Sequence, residues 1–231
     1  MINEAGVEIE LFPTDWRTAV LLVPHPDDPE YGSAAAVAKW TSAGKTVRYV
    51  FACRGEAGIA GMPPEETARV REAEQRRAAA IVGVRDLDFW EFRDSDIRNT
   101  PELRKKIADT LADLKPEVAL TIYGGSEWAP GALNQRDHIE FAAAVVAAYD
   151  SLRDPPRWLF SFGPGATHIE TVDNFIDVAT EALTAHEKYL STLDPDTPVV
   201  EQARKVLDMT TPAHADAAGR RAVGFILERS R

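Results

Sequence analysis

A single cysteine, Cys53, stands in a chain of 231 residues. It cannot form an internal disulfide, so the natural setting is a reducing cytoplasm, and Cys53 is expected to fill the end of a strand. No apolar run approaches the ~20 residues needed to cross a bilayer. The opening Met1-Ile2-Asn3-Glu4-Ala5-Gly6-Val7-Glu8 is acidic and lacks the basic-then-apolar order of a signal peptide. Positive charge is in short supply as well: 26 basic residues face 37 acidic ones, for a formal net charge of -11. That balance opposes binding to nucleic-acid phosphates unless a basic patch is concentrated locally. No internal repeat, low-complexity segment or break in composition marks a second domain. With 45% hydrophobic residues, the chain can bury a substantial core as one domain over residues 1–231.

Strand and helix signals alternate along the chain. Ala19 to Val23, Thr46 to Ala52, Leu87 to Phe92, Val118 to Tyr123 and Trp158 to Phe162 read as strands. The first and fourth are continuous apolar runs of the kind found in sheets covered on both faces. Val223 to Leu227 could add a final strand. Helical periodicity falls near Tyr31 to Ser42, Pro64 to Val82, Pro101 to Leu114, Asp137 to Leu152 and Asn174 to Leu193. The alternation predicts an α/β fold, a Rossmann-like open and mostly parallel sheet with helices on both faces.

The densest chemistry lies in Val23-Pro24-His25-Pro26-Asp27-Asp28-Pro29-Glu30, where the first strand gives way to a helix. Ligands are usually bound at such carboxyl edges, and a His with an Asp is zinc-ligand chemistry. A helix start alone would explain Asp28 as a capping carboxylate before Pro29 and Glu30, but leaves His25 and Asp27 unexplained. A second element, Asn134-Gln135-Arg136-Asp137-His138, follows the fourth strand and a loop containing Gly124, Gly125, Pro130 and Gly131. His138, an unremarkable surface residue if taken alone, could meet His25 above the same sheet edge. The glycine-bearing loop from Gly55 to Pro64 permits close approach or lid motion. It lacks phosphate-loop spacing and the terminal Lys-Ser or Lys-Thr.

These residues resemble the PIG-L or LmbE-like zinc-dependent deacetylases, which act on N-acetylglucosamine-containing substrates. Pro24 to Glu30 looks like the family's His-Pro-Asp-Asp-x-Glu signature, and Arg136-Asp137-His138 like the end of its His-Pro-Asp-His signature. Arg71, Glu74, Ala78 and Val82-Gly83-Val84 resemble its Arg-x-x-Glu helix, and Lys115-Pro116-Glu117-Val118 its Arg-Pro-Asp-Val strand entry. The resemblance implies one zinc per chain, bound by His25, Asp28 and His138, with Asp27 as general base. Three protein ligands would leave a fourth position for water, activated at neutral pH. A neutral N-acetylated amino sugar or small conjugate suits the chain's negative charge better than a polyanion.

One departure concerns Gln135, which stands where the family has the first His of its second signature. Its amide can donate a hydrogen bond to a developing oxyanion but cannot deliver a proton. Asp27 would then handle both proton transfers, unless His168 or His186 enters the site or activity is lost. Ala182-Leu183-Thr184-Ala185-His186 resembles the family's Ala-Leu-x-Ala-His, so His186 is expected behind the site or in the core; His168 and His214 carry no motif. Trp128 offers a flat face for sugar contact, with a loop anchor as the alternative. Arg71 is expected near the substrate's polar end by resemblance, or on an exposed helix face among Arg69, Glu72, Glu74 and Arg76 by pattern. Two other functions remain open: a sugar-binding relative with structural zinc or none, and a non-haem iron oxygenase with two His and one carboxylate. The βα alternation disfavours the oxygenase, and self-association is open because apolar helix faces serve core and interface alike.

Overall fold

A computed structural model describes residues 9–231; the acidic stretch Met1 to Glu8 lies outside the described residues. In chain order the elements are β1 (Glu10–Leu11), β2 (Thr18–Val23), α1 (Asp28–Gly32), α2 (Ala34–Ser42), β3 (Thr46–Phe51), α3 (Pro64–Ile81), β4 (Asp86–Phe89), α4 (Pro101–Leu114) and β5 (Val118–Ile122). There follow β6 (Glu127–Ala129), β7 (Ala132–Leu133), α5 (Arg136–Ser151), β8 (Trp158–Phe162), β9 (His168–Thr171), α6 (Ile176–Thr184), α7 (Glu187–Leu193), α8 (Val199–Thr210), β10 (Ala213–His214) and β11 (Arg220–Ser230).

One sheet runs in the order β1-β9-β11-β8-β5-β2-β3-β4, with β10 paired to β11 off that path, while β6 and β7 form a separate hairpin. Strands β4, β3, β2, β5 and β8 are mutually parallel. Beyond them β11 lies antiparallel between β8 and β9, and β1 closes that side parallel to β9. The expected mostly parallel α/β sheet is therefore present, extended by an antiparallel insertion.

Alternation along β2 divides the core into two layers. Leu21 and Val23 pack with Trp40 of α2, Ala78 of α3, Leu183 of α6 and Leu207 of α8. Val20 and Leu22 face the opposite side, with Ile107 of α4 and Phe141 and Val145 of α5. A strand buried on both faces cannot alternate polar and apolar residues, which explains the continuous Ala-Val-Leu-Leu-Val run. Proline at the first turn of α1, α3 and α4 pre-sets helical φ where no N–H partner is lost. Thr100 also caps α4 by accepting from Leu103 N–H at 3.2 Å.

Two expected helices are broken in the structure. Tyr31 to Ser42 is interrupted at Ser33, whose N–H and hydroxyl both donate to Pro29 O. Gly32 beside it makes room for Phe162: a Cβ there would lie 2.2 Å from the ring's Cδ2. Asn174 to Leu193 is interrupted at Ala185 and His186, where tertiary bonds override the helical pattern. Lys188 N–H donates to Glu74 Oε1 at 2.6 Å, and His186 turns inward. No helix among the described residues is long and apolar enough to cross a membrane.

β1 has only two residues, but Phe12 just beyond it is 3% exposed. Its ring centroid lies 4.6 Å from that of Phe160 and 4.8 Å from those of Trp40 and Phe225. Phe12→Ala should therefore lower unfolding stability by about 3–5 kcal/mol, the usual cost of emptying a buried aromatic site, read as a shift in the urea midpoint at constant slope. A loss below 1 kcal/mol would show that the N-terminal arm contributes little to the core.

Candidate metal centre

The order β3-β2-β5-β8 makes the cleft between the carboxyl ends of β2 and β5 a topological switch point, where loops leave in opposite directions and ligands are usually held. His25 follows β2, and His138 lies in the first turn of α5, after β5. The sheet thus brings together two histidines 113 positions apart, both at least nine-tenths buried.

Asp28 lies between them. Its Oδ2 accepts the His25 backbone N–H at 2.7 Å and lies 3.6 Å from His25 Nδ1, while its Oδ1 lies 3.2 Å from His138 Nε2. Asp28 is consequently the first residue of α1 and not its cap. The N-cap position belongs to Asp27, whose side chain makes no capping bond; its carbonyl accepts from Glu30 N–H at 2.8 Å and Tyr31 N–H at 3.1 Å.

Hydrogen bonds on the outer edges of both rings decide which nitrogens face inward. Asn134 donates its amide to Tyr123 O and Gly125 O at 3.0 and 2.8 Å, which fixes its oxygen as the atom toward α5. That oxygen lies 3.0 Å from His138 Nδ1 and can only accept, so Nδ1 carries a proton and the ring, when neutral, offers its lone pair at Nε2. Nε2 is buried without a hydrogen-bond partner. His25 Nε2 lies 3.3 Å from Asp137 Oδ2 and 3.4 Å from Asp94 Oδ1, leaving Nδ1 toward Asp28. Such carboxylate and amide partners behind ring nitrogens are what orient metal-ligating histidines.

His25, Asp28 and His138 present ligand atoms within 4.8 Å of one another. A bare imidazole nitrogen, a second imidazole and a carboxylate fit zinc, and three protein donors leave a position open. His25, Cys53 and Asp94 meet the same distance criterion. That grouping is less suited: Cys53 Sγ is engaged with Pro24 O and Gly55 N–H, and burial pushes its thiol well above the ordinary range, disfavouring thiolate.

Charge around the centre is finely opposed. Burial alone would lower His25, but bonds to Asp137 and Asp28 override it and raise the imidazole to about 10. Burial would raise Asp28, yet His138 and His25 hold it well below the usual carboxylate range. For Asp27, burial dominates and lifts the carboxyl to about 6 against the pull of Arg71. Deeper still, burial pushes Glu30 up to about 8 and His186 down to about 4, which leaves this pair uncharged near neutrality.

Arg71 is not on an exposed face: its side chain is 3% exposed and its Nη2 donates to Asp27 Oδ1 at 2.7 Å and to Pro26 O at 2.5 Å. The guanidinium lies 3.9 Å over the Tyr189 ring. Gly55 and Gly58 line it so closely that a Cβ on either would come within 2.5 Å of Nη1. Asp27 itself adopts φ 91°, left-handed backbone that costs a side-chain-bearing residue roughly 1–2 kcal/mol. Trp128 on β6 packs edge-on against His138, with centroids 5.9 Å apart, and against Tyr123 at 5.5 Å. Gln135 is exposed at the N-cap of α5, its backbone N–H donating to Asn134 Oδ1. Of the remaining histidines, His186 reaches Glu30 Oε2 at 3.2 Å beneath the centre, whereas His168 sits on β9 beside Phe160 and His214 on β10. Asn134 and Asp94 were not distinguished by sequence reasoning, and Asp137 appeared only as part of a motif. For Asn134 the available signal was its i, i+4 spacing to His138; Asp94 carried none.

Residues 20–149 match the family model described as PIG-L, GlcNAc-PI de-N-acetylase. The chain is 30% identical over 193 residues to a probable N-acetyl-alpha-D-glucosaminyl L-malate deacetylase 2 of Bacillus anthracis, covering 76% of this chain and 83% of that one. Among solved structures it resembles N,N'-diacetylchitobiose deacetylase from Pyrococcus horikoshii, at TM-score 0.79 and 18% identity over 92% of this chain and 84% of that chain. It also resembles 4-carboxy-2-hydroxymuconate hydratase from Pseudomonas putida KT2440, at TM-score 0.66 and 17% identity over 93% of this chain and 97% of that chain. At these identities the structural likenesses establish the fold.

Replacing Asp137 by Asn keeps the volume but weakens the acceptor behind His25. Metal affinity should fall on the order of 10–100-fold, measured by competition with a chromophoric chelator, while the circular dichroism spectrum is unchanged. Native affinity in Asp137→Asn would remove this contact from metal binding.

Proposed function

The chain belongs to the PIG-L/LmbE-like deacetylase family, and on that premise we propose that it is a zinc-dependent hydrolase that removes an N-acetyl group from an amino sugar or amino-sugar conjugate. The observation that carries this reading is the bare, buried Nε2 of His138, facing Asp28 beside His25. His25, Asp28 and His138 would hold one zinc ion. Zinc bound there would supply a Lewis acid that polarises the amide carbonyl and brings the pKa of a water towards ~7.

The chain's own groups account for the remaining chemistry. Asp27 Oδ1 is tied to Arg71, which leaves Oδ2 to accept a proton from the attacking water and return it to the departing amine. Hydrolysis then balances as amide plus water giving acetate plus the protonated amine. Gln135, exposed beside His138, is assigned as a hydrogen-bond donor to the oxyanion, so Asp27 carries both proton transfers. Trp128 offers its indole as an apolar wall for the sugar ring. Arg71, expected by resemblance at the substrate, is assigned instead to orienting Asp27, because its guanidinium is enclosed by Gly55, Gly58 and Tyr189.

Protein purified without added metal should contain close to one zinc per chain by mass spectrometry, and His25→Ala should contain none. Absence of bound metal even after zinc is supplied would overturn the hydrolase reading. In assays of amine released from N-acetylated sugars, Asp27→Asn should retain zinc and lose about 10²–10⁴-fold in kcat. Gln135→Ala should lower kcat on the order of 10²–10³-fold, and undiminished turnover would remove Gln135 from the mechanism. Bound zinc without hydrolysis of any N-acetyl sugar would favour a non-catalytic sugar-binding protein.

A further inference from the structure

Asp27 is strained and buried, yet held at every polar group of its backbone. Its carbonyl accepts from Glu30 and Tyr31 N–H groups within the turn. Its own N–H points away from that turn and donates to Gln75 Oε1 on α3 at 2.7 Å. Gln75 is fully buried, and its amide could present either end to Asp27, since oxygen and nitrogen occupy equivalent positions. The nitrogen end would set two N–H donors against each other.

Glu30 removes that ambiguity. Gln75 Nε2 donates to Glu30 Oε1 at 3.2 Å and Oε2 at 3.1 Å. Glu30 Oε2 lies 3.2 Å from His186 Nε2, and neither side chain of that pair is exposed. His186 reaches this position only because the helix is interrupted between α6 and α7. The bonds therefore form one chain, His186 to Glu30 to Gln75 to Asp27, that joins α6–α7, α1 and α3.

We propose that Gln75, oriented by Glu30 and His186, is a positioning residue that holds Asp27 in its left-handed conformation so that Oδ2 faces the reacting water. This rests on Asp27 acting as general base. Arg71 restrains the carboxylate and, through Pro26 O, the carbonyl end of the peptide unit before Asp27, but it makes no bond to the Asp27 N–H. Only the Gln75 acceptor engages that N–H, whose direction changes if the backbone relaxes towards right-handed φ.

A double-mutant cycle separates this role from plain core stability. Gln75→Leu in the native background should lower kcat at least 10-fold, with KM changed less than threefold and zinc content unchanged. In the Asp27→Asn background the same substitution should have no further effect on kcat. Gln75→Asn, which withdraws the oxygen by one methylene but remains polar, provides the same cycle should Gln75→Leu not fold. An equal fold-loss from Gln75→Leu in both backgrounds, or no loss in the native one, would overturn the proposal while leaving Asp27 as base. An Asp27→Asn variant as active as the native protein would instead overturn the general-base assignment and this proposal with it.

Discussion

A carboxylate taken out of water must recover its lost hydration from a cation, a proton or N–H donors. Asp27, Asp28, Glu30, Glu74, Asp94 and Asp137 are all buried in and behind the centre, and the surrounding architecture is arranged around compensating them. Arg71 meets Asp27, the imidazoles and a backbone N–H meet Asp28, and the Ala57 N–H meets Asp94 at 2.9 Å. The Lys188 N–H meets Glu74 at the start of α7. Each solution draws on a different element, so the turn after β2 cannot be moved without disturbing α3, α5, α7 and two loops. A divalent cation suits such a place because it can accept lone pairs from both imidazoles and a carboxylate at once.

The parts of this arrangement legible in the sequence are those with a local signal. The apolar runs of β2 and β5 reveal a sheet covered on both faces, and His25, Asp27 and Asp28 stand out because a helix start needs only one of them. The parts that were not legible depend on partners far away along the chain. Asn134 looks like an ordinary loop residue until its amide is seen bridging two carbonyls and His138. Asp94 reads as a polar loop residue until it lies beside His25. The break before α7 was missed because apolar spacing continues through it, and only Glu74 on another helix makes the interruption favourable. α8 and β9 escaped for a different reason: each buries only two residues, Ala203 and Leu207 on one and His168 and Ile169 on the other, so neither presents a long apolar run.

The family match ends at residue 149, yet the centre does not. His186 lies under Asp27 through Glu30 and Gln75, and Tyr189 covers the Arg71 guanidinium. The segment carrying the metal-ligand candidates is thus completed by side chains from a region where the motif resemblance is weaker.

The antiparallel insertion has a consequence for how the molecule is made. β11 joins β8 to β9 but is translated after both of them, so a growing chain carries β8 with an unpaired edge until Arg220 to Ser230 emerges. The β2–β5–β8 layer can assemble earlier, whereas the far side of the sheet waits for its central strand. During that interval the open backbone of β8 is a template for pairing with another nascent chain. Production of this protein therefore favours slow synthesis, low temperature and chaperones that shield strand edges.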